Sequence, residues 1–195
     1  MKKLLRSAFI LAVVSIFTFT AVWAQEEKTG SLKAVEILSG FGLAKLKRQG
    51  DYRIVPFFLD FDFDLKPLIE KKGKNYPGIL QFIIEPFASY IFEPNNNAEI
   101  GNNFAIKIGL LPDTWVIQPY FKGGVGIIYL TQHFKEQATQ FNFNEFGGFG
   151  LHYFFTKKLA MTIEYRYRHI SNAGIKSPNH GIGTNMGLCG VSYFF

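Results

Sequence analysis

Between residues 34 and 195, apolar and polar positions alternate in eight successive segments: roughly 34–45, 52–65, 79–92, 99–111, 115–130, 140–155, 159–170 and 184–195. A period of two sends successive side chains to opposite faces of a strand. The second segment is the clearest: Val55, Phe57, Leu59, Phe61 and Phe63 share one face, and Asp60, Asp62 and Asp64 the other. Three aspartates cannot face hydrocarbon, so the polar face is predicted to line a closed lumen and the apolar face to meet lipid. Each segment is long enough for a tilted strand that crosses in about 9–11 residues. No segment beyond the leader offers about 20 continuous apolar residues, which leaves no candidate for a helical crossing there. The pattern predicts an all-β chain, an eight-stranded antiparallel transmembrane β-barrel of the outer-membrane type. At eight strands the interior is filled by side chains rather than by a water channel. The inward charges, among them Glu85, Lys107, Lys122, Glu164, Arg166 and Arg168, are expected to pair there. Two regions are irregular. The sixth segment loses its alternation near Glu145–Gly148, which suggests a bulge, and residues 66–77 form a long, basic connection with no evident local signal.

The N-terminus changes the picture by setting the compartment. Lys2, Lys3 and Arg6 precede an apolar stretch from Ala8 to Phe19, and Val22 and Ala24 are small residues at the −3 and −1 positions of a cleavage site. Residues 1–24 are therefore predicted to be a signal peptide and 25–195 the barrel domain. Three basic residues leave with the leader, so the formal charge falls from +6 to +3, too little for a nucleic-acid footprint. Cys189 is the only cysteine, which excludes an intramolecular disulfide in an exported chain and leaves rigidity to a hydrogen-bonded barrel. Aromatic residues make up 17% of the chain, 22 of them Phe, in keeping with lipid-facing surface and interfacial girdles.

The candidate chemistry sits at the end of the seventh segment. Leu159, Met161, Ile163, Tyr165 and Tyr167 form its lipid-facing row, and His169 and Ser171 continue that row by parity. With both termini on the periplasmic side, the seventh strand runs outward and the loop from Ser171 to Gly183 lies at the outer leaflet. A lone histidine at an interface is unremarkable; a histidine two residues from a serine on one face can take the serine proton and activate it. No metal-ligand spacing is present, and neither a metal nor another cofactor is expected.

The run Arg168 to Ile182, RHISNAGIKSPNHGI, resembles the signature of the PagL-type lipid A 3-O-deacylases, a family of eight-stranded outer-membrane barrels. The resemblance implies Ser171 as nucleophile and His169 as its base. It implies oxyanion donors at the Gly174 backbone and the Asn179 side chain, with Asn172 shaping the turn. The implied substrate is lipid A of lipopolysaccharide, and the implied reaction is hydrolysis of its 3-position acyl ester. One position departs: where the family has a glutamate that orients the histidine, this chain has Gly183. Asn185 keeps the same parity and is the candidate substitute, whereas Glu164 belongs to the lumenal row. Lys45, Lys47, Arg48, Lys135 and Lys176 lie near the expected outer rim, where they either contact lipid phosphates or provide general attraction to an anionic leaflet. The aromatic C-terminal row Val191, Tyr193 and Phe195 is expected to be read by the outer-membrane assembly machinery. A non-enzymatic structural or adhesive barrel, and an esterase acting on phospholipid instead, remain alternatives, because fold alone does not decide function.

Overall fold

A computed structural model describes residues 31–195, so the expected signal segment lies outside the described residues. Eight antiparallel strands follow one another in chain order: β1 (Leu32–Leu46), β2 (Gly50–Asp64), β3 (Leu80–Glu93), β4 (Asn97–Gly109), β5 (Ile117–Leu130), β6 (Phe141–Phe154), β7 (Leu159–Ser171) and β8 (Ile182–Phe194). β8 pairs with β1, which closes the barrel and leaves no strand edge unpaired. The strand ends fall within two residues of those read from the alternation. No helix among the described residues is long and apolar enough to cross a membrane.

Burial follows parity. On β7, Ala160, Thr162, Glu164, Arg166, Arg168 and Ile170 are buried, while Leu159, Met161, Ile163, Tyr165 and Tyr167 are exposed. Exposed apolar side chains such as Phe57, Ile100, Phe121, Phe149 and Val191 make the outer wall greasy, as a wall solvated by lipid tails must be.

The lumen is packed, and its charges are paired. Lys107 Nζ reaches Glu36 at 2.5 Å and Asp62 at 2.7 Å. Lys122 Nζ bridges Asp60 and Glu85, each at 2.5 Å. The Arg166 guanidinium grips Glu85 with two bonds of 2.7 and 2.9 Å and meets Glu164 at 2.6 Å. Its Cζ lies 4.3 Å from the ring centroid of Phe58 and 4.4 Å from that of Phe146. Nearer the loop end, Arg168 bonds Glu99 at 2.6 Å, and Glu99 also accepts from the Tyr52 hydroxyl at 2.5 Å. Interlocked pairs of this kind satisfy charges that would otherwise carry a large desolvation penalty. Above them an apolar cluster that includes Leu46, Tyr52, Ile91, Leu130, Phe134 and Ile170 seals the loop end of the lumen.

The two irregular regions resolve differently. No bulge interrupts β6: Glu145 pairs with Val125 on one side and His169 on the other, in unbroken register. The alternation fades in the sequence because Gly147, Gly148 and Gly150 carry no side chains to mark it, and because Glu145 is a charged residue on the outer face. The basic connection holds a one-turn helix, α1 (Lys66–Glu70), with Pro67 near its start, where a missing N–H costs nothing. The segment is anchored to the next turn by an ion pair between Lys66 and Asp113 and by Asp113 N–H donating to Pro77 O at 2.9 Å.

Candidate active site

Continuous β7–β8 pairing through Ile170↔Ile182 carries the outward row to the end of β7 without a slip. His169 and Ser171 therefore both sit on the outer wall, each half-buried, beside the loop 172–181. The imidazole and the hydroxyl form no hydrogen bond with each other among the described residues; Ser171 Oγ instead accepts weakly from Ala173 N–H at 3.4 Å. Sites of this type often tighten only around substrate.

Asn172 points the other way, fully buried, and organises the loop. Its Oδ1 accepts from Gly174 N–H at 3.0 Å, its Nδ2 donates to Lys176 O at 2.7 Å, and its backbone carbonyl accepts from Ile175 N–H at 3.0 Å. Its backbone N–H donates to Asn179 Oδ1 at 3.0 Å. The chain turns through two left-handed residues, Ala173 (φ 53°) and Gly174 (φ 77°). The candidate oxyanion donors are thus both near Ser171 in the chain fold, but the Gly174 amide is engaged by Asn172. Asn179 spends its oxygen on the loop and keeps its Nδ2 without a partner among the described residues.

A second loop holds the first in place. Residues 131–140 fold over the barrel mouth, anchored by buried Phe134. Gln137 forms an isolated β-bridge with Asn179, Ala138 N–H donates to Pro178 O at 2.9 Å, and His180 N–H donates to Glu136 O at 2.9 Å. The same loop reaches the β1–β2 turn, where Arg48 N–H donates to Glu136 Oε1 at 2.7 Å and Lys135 N–H to Gln49 Oε1 at 2.6 Å. These links draw Lys47, Arg48 and Lys135 into one exposed basic rim, with Lys176 exposed on the neighbouring loop. A recess of about 650 Å³ lined by Phe41, Leu43, Ala44, Asp51, Arg53 and Phe92 lies on the β1–β3 side of the wall and touches neither His169 nor Ser171.

Two glycines set the immediate surroundings of His169. Gly181 has φ +73°, and a Cβ there would stand 2.3 Å from His169 Cε1 and 2.8 Å from Nε2. The ring therefore rests on a surface that only glycine provides. Gly183 pairs with His169 directly, and a Cβ there would stand 2.4 Å from the Tyr167 hydroxyl. The phenol of Tyr167 thus fills the space in which a side chain at 183 would begin. Asn185 does not reach toward His169: it pairs with Tyr167, and its Oδ1 accepts from the Tyr165 hydroxyl at 2.6 Å. Glu164 is lumenal, bonded to Tyr120 at 2.8 Å and to Arg166. Gly181, Tyr167 and the bridging Gln137 are site residues that sequence reasoning passes over; only the Gly-rich HGIG run around residues 180–183 hints at them. Among the described residues, no group of three or more His, Cys, Asp or Glu side chains could hold a metal ion.

The family model for lipid A 3-O-deacylase (PagL) matches residues 61–192. The chain belongs to the lipid A 3-O-deacylase (PagL) family. Among solved structures it resembles the outer membrane enzyme PagL at 20% identity, with a TM-score of 0.59, covering 80% of this chain and 97% of that one. It also resembles Neisserial surface protein A at 11% identity, with a TM-score of 0.64, covering 86% of this chain and all of that one. At such identities the two likenesses establish the barrel fold alone. No curated protein matches the sequence. Family and fold together place this PagL-family barrel in the bacterial outer membrane and make its class that of the lipid A deacylases.

Proposed function

We propose that the protein is a serine esterase that removes the 3-O-linked acyl chain of lipid A from within the outer leaflet. The observation that carries the reading is the placement of His169 and Ser171 together on the lipid-facing wall at the loop end of the barrel, where a structural barrel has no use for them. Ser171 Oγ attacks the ester carbonyl as His169 takes its proton, forming the Oγ–C bond. Collapse of the tetrahedral intermediate breaks the C–O bond to the sugar, and His169 returns the proton to the departing alcohol oxygen. Water then repeats the sequence on the acyl-serine, releasing a fatty acid and restoring Ser171. The Asn179 Nδ2, without a partner among the described residues, and the Gly174 N–H, released from Asn172, are the donors assigned to the oxyanion. No metal or cofactor enters this scheme. The basic rim of Lys47, Arg48, Lys135 and Lys176 suits a phosphorylated glycolipid, and the outward row Val191, Tyr193 and Phe195 suits recognition by the outer-membrane assembly machinery.

The test is mass spectrometry of lipid A from cells producing the native chain, the Ser171→Ala protein, or neither. The native chain is expected to yield lipid A lighter by one 3-linked acyl group, and Ser171→Ala none. Loss of acyl chains from phospholipid only would move the substrate to another lipid class, and equal release by the Ser171→Ala protein would leave the structural-barrel reading ahead.

A further inference from the structure

The site as drawn lacks an acid on the β8 side, since Gly183 has no side chain and Tyr167 fills the gap. His169 has a second cross-strand neighbour. On β6, Glu145 pairs with His169 in continuous register, on the same outward face. Directly opposed residues of antiparallel strands hold their Cβ atoms about 4.5–5.5 Å apart, a gap that a glutamate side chain closes by rotamer choice alone.

Among the described residues, Glu145 has no hydrogen-bond or ion-pair partner for its side chain. Its neighbour across β5 is Val125, and Phe143 and Gly147 flank it on the outer face of β6. A carboxylate in a lipid-facing row is costly and calls for a counter-charge. The other outward acids of the loop-end half, Asp51 and Glu93, both have one: Arg53, at 3.0 and 3.1 Å. Glu145 makes no ion pair among the described residues, and the imidazole is the one titratable group that faces it across a strand. The groups facing His169 are few. β8 presents Gly183 and Asn185, neither titratable; β7 itself presents Tyr167; and β6 presents Glu145, while His180 lies exposed in the adjoining loop.

Resting on the esterase reading above, we infer that Glu145 is the positioning residue for His169, a carboxylate supplied from β6 in place of the one missing at Gly183. It orients the imidazole and stabilises the imidazolium formed as Ser171 attacks.

The experiment uses the mature barrel in detergent micelles, with heat-modifiable gel migration confirming that each variant is folded. Fatty-acid release is measured over a range of lipid A concentrations for the native chain, Glu145→Gln, Glu93→Gln and Ser171→Ala, so that kcat and KM are obtained separately. Glu145→Gln is expected to lower kcat on the order of 100-fold with KM little changed, within the about 10⁴-fold that loss of a triad acid costs in a buried site. Glu93→Gln, which removes an outward acid paired with Arg53, should change neither kcat nor KM. A Glu145→Gln protein with native kcat, or one whose loss lies in KM alone, alongside an inactive Ser171→Ala protein, overturns the role of Glu145 and leaves the esterase reading standing. An active Ser171→Ala protein removes the esterase reading, and this inference with it.

Discussion

Gly181→Ala tests whether the seat of the imidazole matters more than the integrity of the fold. The new Cβ would stand 2.3 Å from His169 Cε1 and 2.8 Å from Nε2, against ordinary carbon contacts of about 3.5–4.0 Å. The backbone of the loop is fixed by its bonds to residues 136–138, so the ring must yield, by about 1 Å or more. A misplacement of about 1 Å in a reacting group costs roughly 100-fold in rate. The substitution also places alanine at φ +73°, a strain of about 1–2 kcal/mol. Gly73→Ala separates the two effects: its φ is +72°, nothing lies within 4 Å of its Cβ position, and it belongs to the opposite end of the barrel. Lipid A deacylation by outer-membrane preparations of the two variants is the assay, with heat-modifiable migration and urea unfolding as measures of the fold. The two proteins should lose similar stability, and only Gly181→Ala should lose activity, by roughly 100-fold. Equal activity in both would refute the claim that the position of His169 limits the reaction.

Other expectations concern the scaffold. Arg166→Met removes the guanidinium held by Glu85 and Glu164, leaving Lys122 as the cation beside them, and should cost about 3–5 kcal/mol, as breaking one side of a buried ion pair does; a urea midpoint equal to that of the native barrel would contradict the pairing. Phe134→Ala removes the buried aromatic whose ring centroid lies 5.6 Å from that of Tyr52. It should cost about 3–5 kcal/mol if the loop stays packed, or less with new proteolysis within residues 131–140 if the loop lifts away. In the second case deacylation should fall as well, because Gln137 and Ala138 no longer hold Asn179 and Pro178.

The barrel was legible because lipid on one side and a packed lumen on the other impose opposite demands on alternate residues, and β2 and β7 record this almost without exception. The outward placement of His169 and Ser171 follows from the same parity, provided that no bulge intervenes, and the register shows none. What the sequence conceals is whatever depends on pairing between strands. Nothing in FNFNEFGG says that Glu145 stands beside His169, since that follows from the β6–β7 register; in the sequence the glutamate reads only as a fault in the alternation. The bridge from Gln137 to Asn179, and the phenol of Tyr167 over Gly183, join residues of different loops or strands and leave no local periodic signal. The seat under His169 is a glycine chosen for the absence of a side chain, which a pattern of side chains cannot display.

The lumen locked by Lys107, Lys122, Arg166 and their carboxylates has a kinetic consequence. A solid barrel offers no passage through its axis, so a lipid can meet His169 and Ser171 only by lateral diffusion in the plane of the leaflet. For the proposed esterase the governing concentration is then mole fraction in the surface, not molarity in the bulk. Diluting lipid A with inert amphiphile at constant total amount should slow turnover in proportion, whereas diluting the whole suspension with buffer should leave the rate per enzyme unchanged. In the cell, such an enzyme would respond to the composition of its own leaflet and to the crowding of neighbouring barrels that limits how fast lipids exchange past its wall.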